Sequence, residues 1–253
     1  MHYHRVSEGL VMVILLVLVL ALIGCAPEPP PEETVTPMQT MDIDGITYTE
    51  VSEVSLKPKY DPVVYENAQG DRIIMIDVEG HRLVYPYSGE NEAVMRYLDQ
   101  MMAENETVIA WWSLAGQVMG QTGRTMPVIA PTDQLIEDGI GYAASWDSDV
   151  RGNAEELALL AAALVSNNSF HTYQYLASKG TRLIVIPELD PELVSALFDA
   201  SGIDPQPFMA GETFTQAGRD LVIYRMMRGQ GLANFKKLYH DAHTRIYLSG
   251  TTG

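Results

Sequence analysis

Few groups of residues in this chain have the types and spacing to do chemistry. Asp147-Ser148-Asp149 has the D-x-D form in which two carboxylates can flank a divalent cation, and hard cations favour clustered oxygen donors. Two acids inside an acidic stretch read more simply as a solvated loop, and that is the expectation. His240 and His243 supply two imidazoles where a zinc site needs three or four donors. They are expected in the turn of a hairpin, with no metal. Ser113 lies in no G-x-S-x-G frame, and the scattered histidines give it no base, so no nucleophilic triad is read. Asn105-Glu106-Thr107 and Asn167-Asn168-Ser169 match the N-x-[ST] acceptor pattern. Asn105 and Asn167 are therefore candidate glycosylation sites, each in an expected turn. No catalytic residue and no cofactor is assigned.

Cys25 is the single cysteine, which excludes an internal disulfide, a cysteine zinc cluster and a thiol-redox pair. Leu10 to Gly24 reads LVMVILLVLVLALIG, fifteen residues without a charge. A spanning helix wants about 20 residues and a secretory h-region about 7–15. The stretch ends in Leu22-Ile23-Gly24-Cys25 and resembles a lipobox, where a secreted lipoprotein is cleaved before its lipid-bearing cysteine. Residues 1–25 are thus read as a lipoprotein signal with lipidation at Cys25. An uncleaved anchor helix is the alternative, because Glu8 offsets Arg5. Both place the remaining chain on the extracytoplasmic face of the cell membrane. At about 0.8 kcal/mol per buried CH₂ one acyl chain is marginal and two are secure, so a two-chain anchor is expected. Residues 26–41 carry five prolines and three glutamates and read as a linker. Extended like polyproline at about 3.1 Å per residue, it reaches up to about 50 Å.

Charge excludes further classes. Sixteen Lys and Arg against 33 Asp and Glu leave −17 over 253 residues, with no basic stretch to neutralise phosphates. Nucleic acid is therefore not an expected partner. A mean hydropathy of −0.01 excludes a polytopic membrane protein. An acidic domain is repelled by an anionic bilayer, which suits a tethered module.

The elements that must position these residues belong to the α/β class: a mixed sheet with flanking helices. Residues 42–90 are strand-rich, with Ile46 to Val51, Arg72 to Val78 and His81 to Tyr85 as strands and Glu79-Gly80 as a turn. Helical spacing after Ser88 puts Val94, Leu98 and Met101 or Met102 on one face. Thr107 to Trp112 and Met126 to Ala130 are expected as short strands. Asn153-Ala154-Glu155-Glu156 reads as a capping box opening a buried helix over Leu157 to Val165. A second helix from Ser169 stops at Gly180. Arg182 to Ile186 is a buried strand, and Asp190-Pro191 opens the next helix. Phe214, Ala217, Leu221 and Tyr224 mark a longer helix ending near Gly229. Phe235 to Tyr239 and Thr244 to Leu248 form a C-terminal hairpin. One sheet carrying all the helices is expected. Pro131 to Gly152, with Asp133, Glu137, Asp138, Asp147 and Asp149, is the longest candidate loop.

Several of these stretches together resemble one family. Ala93-Val94-Met95-Arg96-Tyr97-Leu98-Asp99, then Val108-Ile109-Ala110, then Trp111-Trp112-Ser113-Leu114-Ala115-Gly116 and Gly123-Arg124-Thr125 are similar to the start of the soluble C-terminal domain in the catalytic subunit of oligosaccharyltransferase. The likeness resumes at Arg182 to Ile186, Leu221 to Arg228, Phe235 to Tyr239 and Arg245 to Leu248, so that residues 91–253 are read as a domain of that kind. The resemblance implies that Trp111 and Trp112 hold places at which the family binds the hydroxyl of an acceptor sequon. The family's motif aspartate is here Ser113, and its Tyr-Gly is Leu114-Ala115. A carboxylate accepting a hydroxyl proton makes a bond roughly twice as strong as a neutral one, so the serine implies weaker holding. The family's metal and lipid-sugar sites lie in a multi-helix membrane region that this sequence lacks. The resemblance thus implies a non-catalytic, lipid-anchored domain that binds polypeptide or the N-glycosylation machinery through Trp111, Trp112 and Ser113. A component working with a separate membrane glycosyltransferase subunit, and a structural cell-surface lipoprotein, are the alternatives.

Overall fold

The computed structural model describes residues 39–103, 106–140, 143, 146, 148–188 and 191–250, with backbone alone at 192. The span Met38–Gly253 forms one compact unit. Its first half is an antiparallel meander of five strands in chain order: β1 (Thr40–Ile43), β2 (Ile46–Val51), β3 (Val63–Asn67), β4 (Arg72–Val78) and β5 (His81–Tyr87). β-branched and aromatic residues at alternate positions give it two apolar faces. Val64, Ile74, Ile76, Leu83, Tyr85 and Tyr87 join the main core. Tyr48, Tyr65, Ile73 and Met75 form a smaller cluster. Between β4 and β5 the chain turns at Glu79 and Gly80 with φ of 57° and 86°, the left-handed pair that a tight hairpin needs.

Beyond β5 the architecture becomes mixed. Helix α1 (Glu92–Met101) buries Val94, Met95 and Leu98. Met101 is exposed, and the chain leaves the helix at Met102, whose side chain turns back into the core. Helix α2 (Ala115–Thr122) lies against the meander, and α3 (Asp133–Glu137) is a short turn inside the acidic loop. Helix α4 (Ala154–Leu164) begins where Asn153 Oδ1 accepts the Glu156 N–H at 3.1 Å, as the capping box predicts. Leu159 nevertheless faces solvent, so α4 is buried along a stripe and not all round. Helix α5 (Ser169–Ser178) gives way to Gly180 at φ 66°. Strand β6 (Leu183–Pro187), α6 (Pro191–Ser201), α7 (Val222–Met227), β9 (Phe235–His240) and β10 (Thr244–Ser249) complete the fold.

Four expectations need correction. There is not one sheet. β6, β10 and β9 form a separate three-stranded sheet, and β7 (Met209–Ala210) with β8 (Thr213–Phe214) a small ribbon. The meander ends because Gln117 of α2 holds both backbone groups of Ser88, accepting its N–H at 3.2 Å and donating to its carbonyl at 2.9 Å. Thr107 to Trp112 is no full strand: it makes isolated parallel bridges, Thr107 to Thr125 and Ile109 to Ile184. Met126 to Ala130 is not a strand either. Pro127 has no N–H to give a ladder, and the Ile129 carbonyl accepts the Tyr85 hydroxyl at 2.6 Å. The helix expected from Phe214 onward is broken into β8, a 3-10 turn at Gly218–Asp220, and α7. Leu221 is extended (φ −63°, ψ 142°), and the Val222 N–H goes to the Ser166 carbonyl at 2.8 Å, outside any helix.

Among the described residues no helix is long and apolar enough to cross a membrane. Cys25 and the apolar stretch before it lie outside those residues.

Candidate functional site

The Trp-Trp-Ser sequence sits where the bridge to β6 ends and α2 begins. Ile109 exchanges backbone bonds with β6, its N–H to Leu183 at 3.1 Å and its carbonyl from Val185 at 2.8 Å. Trp111 is still extended, and Trp112–Leu114 is one 3-10 turn leading into α2. Two glycines seat that helix. A β-carbon added to Gly116 would lie 2.6 Å from Ile74 Cγ2 and 2.7 Å from Tyr85 Cδ2. One on Gly120 would lie 2.7 Å from Ile74 Cδ1 and 3.0 Å from Pro62. At i and i+4 they share one face, and only bare backbone lets α2 approach the meander so closely.

Both indoles are interior. Trp111 and Trp112 are 5% and 3% exposed. Trp111 lines a void of about 10 Å³ with β6, Leu160 and Leu164 of α4, and Leu193 and Leu197 of α6. That is barely a water's worth of space. Trp112 meets Trp146 edge-on at 5.7 Å, and Trp146 meets Tyr85 at 5.4 Å. Each such pair adds to the energy of burial alone. Ser113 differs from its neighbours: its side chain is half-buried and makes no hydrogen bond among the described residues. The structure therefore brings the three residues onto one turn, with the indoles inward and the serine half-buried.

Trp146 is a residue that sequence reasoning missed. A tryptophan in the acidic stretch 131–152 was its only signal. It pins that loop, donating from Nε1 to the Val150 carbonyl at 3.0 Å. The loop's ends are tied as well: the Gly152 N–H reaches the Pro131 carbonyl at 2.8 Å, and Arg151 pairs with Asp133 at 2.7 Å. Asp147 of the D-x-D lies outside the described residues; Asp149 is exposed.

Arg124 is the other. It is 1% exposed and closes the C-terminal end of α1, donating to Asp99 Oδ1 at 2.8 Å and to the carbonyls of Asp99 and Met102. Helix C-termini favour such cations. Lys57 pairs with the second oxygen of Asp99 at 2.8 Å. Burial pushes the Asp99 carboxyl up, but hydrogen bonds from Lys57 and Arg124 outweigh it and hold the group below the usual range.

The remaining candidates are dispersed. His240 ends β9 and is exposed. His243 stands in the turn with Nδ1 3.2 Å from Glu90 and 3.4 Å from Glu188. Among the described residues no three His, Cys, Asp or Glu side chains gather as a metal would require. Asn105 lies outside the described residues. Asn167 is exposed between α4 and α5, while Ser169 of its sequon is buried and donates to the Ala233 carbonyl at 2.9 Å.

No family model matches the chain, and no curated protein does. Among solved structures it is similar to the C-terminal globular domain of oligosaccharyltransferase from Archaeoglobus fulgidus, at 10% identity and a TM-score of 0.47, covering 65% of this chain and 99% of that one. A second structure of such a domain from the same organism gives 11% identity and a TM-score of 0.41, covering 66% and 98%.

Proposed function

We propose that this chain is a non-catalytic, lipid-anchored domain on the extracytoplasmic face of the membrane, and that it holds polypeptide, or the N-glycosylation machinery, at the turn carrying Ser113. One observation supports the reading above others: a half-buried serine with no hydrogen bond among the described residues, directly after two interior indoles on the same turn. A rigid frame spares the entropy of ordering the group when a ligand arrives. The indoles act by fixing the turn, and a ligand meets their rim at most. The candidate partners are acceptor polypeptides and a membrane glycosyltransferase subunit, with the lipid on Cys25 as the link to the bilayer.

A neutral serine bonds a ligand hydroxyl weakly, and Ser113→Asp restores a charged acceptor. The variant should bind an N-x-T peptide about tenfold more tightly than the parent chain does, with N-x-A unchanged, as a charge-assisted bond requires. Isothermal calorimetry reads both. Equal affinities of parent and variant for the two peptides would remove Ser113 from the site.

A further inference from the structure

The charge of the chain is unevenly placed. Residues 215–250 hold six Lys and Arg against two acids, Asp220 and Asp241, a local +4; the rest of the chain, with 10 basic and 31 acidic residues, carries −21. The fold gathers these cations. β9 is the edge strand of the sheet ordered β6-β10-β9. Its register against β10 slips between Ile246 and Tyr247, so that Arg245 faces His240 and Tyr247 faces Lys237, with Leu238 as the extra residue.

That bulge decides the outcome. Three residues apart on a regular strand, Lys237 and His240 would point to opposite faces; the extra residue puts both on the face of Arg245 and Tyr247. The same face receives the end of α7, where Tyr247 donates its hydroxyl to the Met226 carbonyl at 2.6 Å. Lys237 Nζ donates to the Gly229 carbonyl at 3.2 Å. Arg225 donates to the Gly231 carbonyl, and Arg228 lies over the Tyr224 ring at 5.6 Å.

None of Arg225, Arg228, Lys237 and Arg245 is in an ion pair among the described residues; elsewhere Lys57, Arg72, Arg96, Arg124, Arg151 and Lys179 are paired, and Lys59, Arg82 and Arg182 are not. Asp241 does not neutralise the group. Its carboxylate accepts the Tyr239 hydroxyl and the N–H groups of His243 and Thr244 within the turn. Asp220 is exposed before α7. His240 is crowded by these cations: burial, then Arg245 and Lys237, push its imidazole down against the opposing pull of Asp241.

We propose that this face, made by the end of α7 and the β9–β10 edge, docks on anionic lipid headgroups of the membrane to which the chain is tethered. The inference rests on the anchoring read above. Anchoring on the same membrane makes the contact intramolecular and raises its effective concentration, so weak contact is enough. Each basic group beside an anionic surface multiplies partitioning about fivefold. The acidic remainder is screened beyond about 8–10 Å at physiological salt. An acidic polypeptide offers the same charge, but nothing in this chain concentrates one there.

The test is acylation of Lys237 in the full anchored chain on nanodiscs, read by mass spectrometry. Phosphatidylcholine discs are compared with discs in which about a third of the lipid is phosphatidylglycerol. Labelling should slow about tenfold on the anionic discs, with Lys59 unchanged, and recover at about 1 M salt, where screening acts within about 3 Å. Arg228→Gln with Arg245→Gln should recover it without salt, circular dichroism confirming the fold. Equal labelling on both discs overturns the proposal. So does protection of Lys237 by polyglutamate in the absence of lipid, which would give the face to an acidic polypeptide. Failure of the chain to stay on neutral discs defeats the anchor alone. The same labelling with anionic vesicles added to the chain in solution then decides the patch.

Discussion

Around α2 and the meander, most cations are matched to carboxylates, Lys57 and Arg124 to Asp99, Arg72 to Glu66, Arg96 to Glu92, with Lys59 on the Gly123 carbonyl as an exception. At β9 and α7 they are matched to neutral groups, Lys237 and Arg225 to carbonyls and Arg228 to an aromatic ring. The difference separates two uses of charge. A carboxylate partner cancels the field and leaves only local geometry, so the first region uses its ions to hold chain segments in place. A carbonyl satisfies the donor and leaves its net charge standing, so the second region still projects a field outward. Interior aromatics follow the first pattern: Trp111 and Trp112 are buried at the turn, and Ser113 beside them is half-buried.

The sharpest way to break this contrast is at an indole. Trp111→Ala removes an interior side chain that touches α4, β6 and α6. It should cost about 3–5 kcal/mol, as large-to-small aromatic changes in cores do. A shift of the urea midpoint with unchanged slope reads it. A loss near zero would mean that Trp111 faces a ligand and not the core.

Gly116→Ala should cost less, about 1–3 kcal/mol, because its methyl would overlap Ile74 and Tyr85 at 2.6 and 2.7 Å. Its second consequence sharpens the comparison. Lifting α2 from the meander displaces the Ser113 turn, so peptide binding should fall by more than the loss of folded protein explains. Lysine labelling at β9, on the other side of the contrast, should not change.

How much of this was readable beforehand depends on the range of the forces. Strands β2, β4 and β5 of the meander, α1, α4, α5 and the final hairpin were legible because period and turn chemistry are local: Glu79-Gly80, Asn153 and Gly180 announce themselves; β1, which begins inside the expected linker, and β3 were not. Thr107 to Trp112 was not, since its pairing with Ile184 crosses the chain and no period encodes a single bridge. The break at Leu221 depends on a carbonyl from Ser166. At the site, the pairing of two tryptophans with a serine was visible in sequence. Their inward orientation was not, because it is set by Trp146 and by the close approach that Gly116 and Gly120 permit. Arg124 stood in plain view as a residue type, yet its burial follows only from the placement of α1.

The matched ions of the first region also carry a signature in pH. Asp99 is held below its ordinary range in the folded chain by Lys57 and Arg124 acting against burial, while in the unfolded chain it titrates near about 3.9. A depressed folded value means stability that is fully present above the unfolded value and lost as pH falls through the folded one. Asp99→Asn should therefore be less stable than the parent at pH 7. The gap should narrow below about pH 4 and close under stronger acid, where the parent's carboxyl is protonated too. Urea midpoints of both chains across that range measure it. A gap that stays constant with pH would show that Asp99 acts through shape alone. The charge matching of the first region would then be no more than coincidence of position.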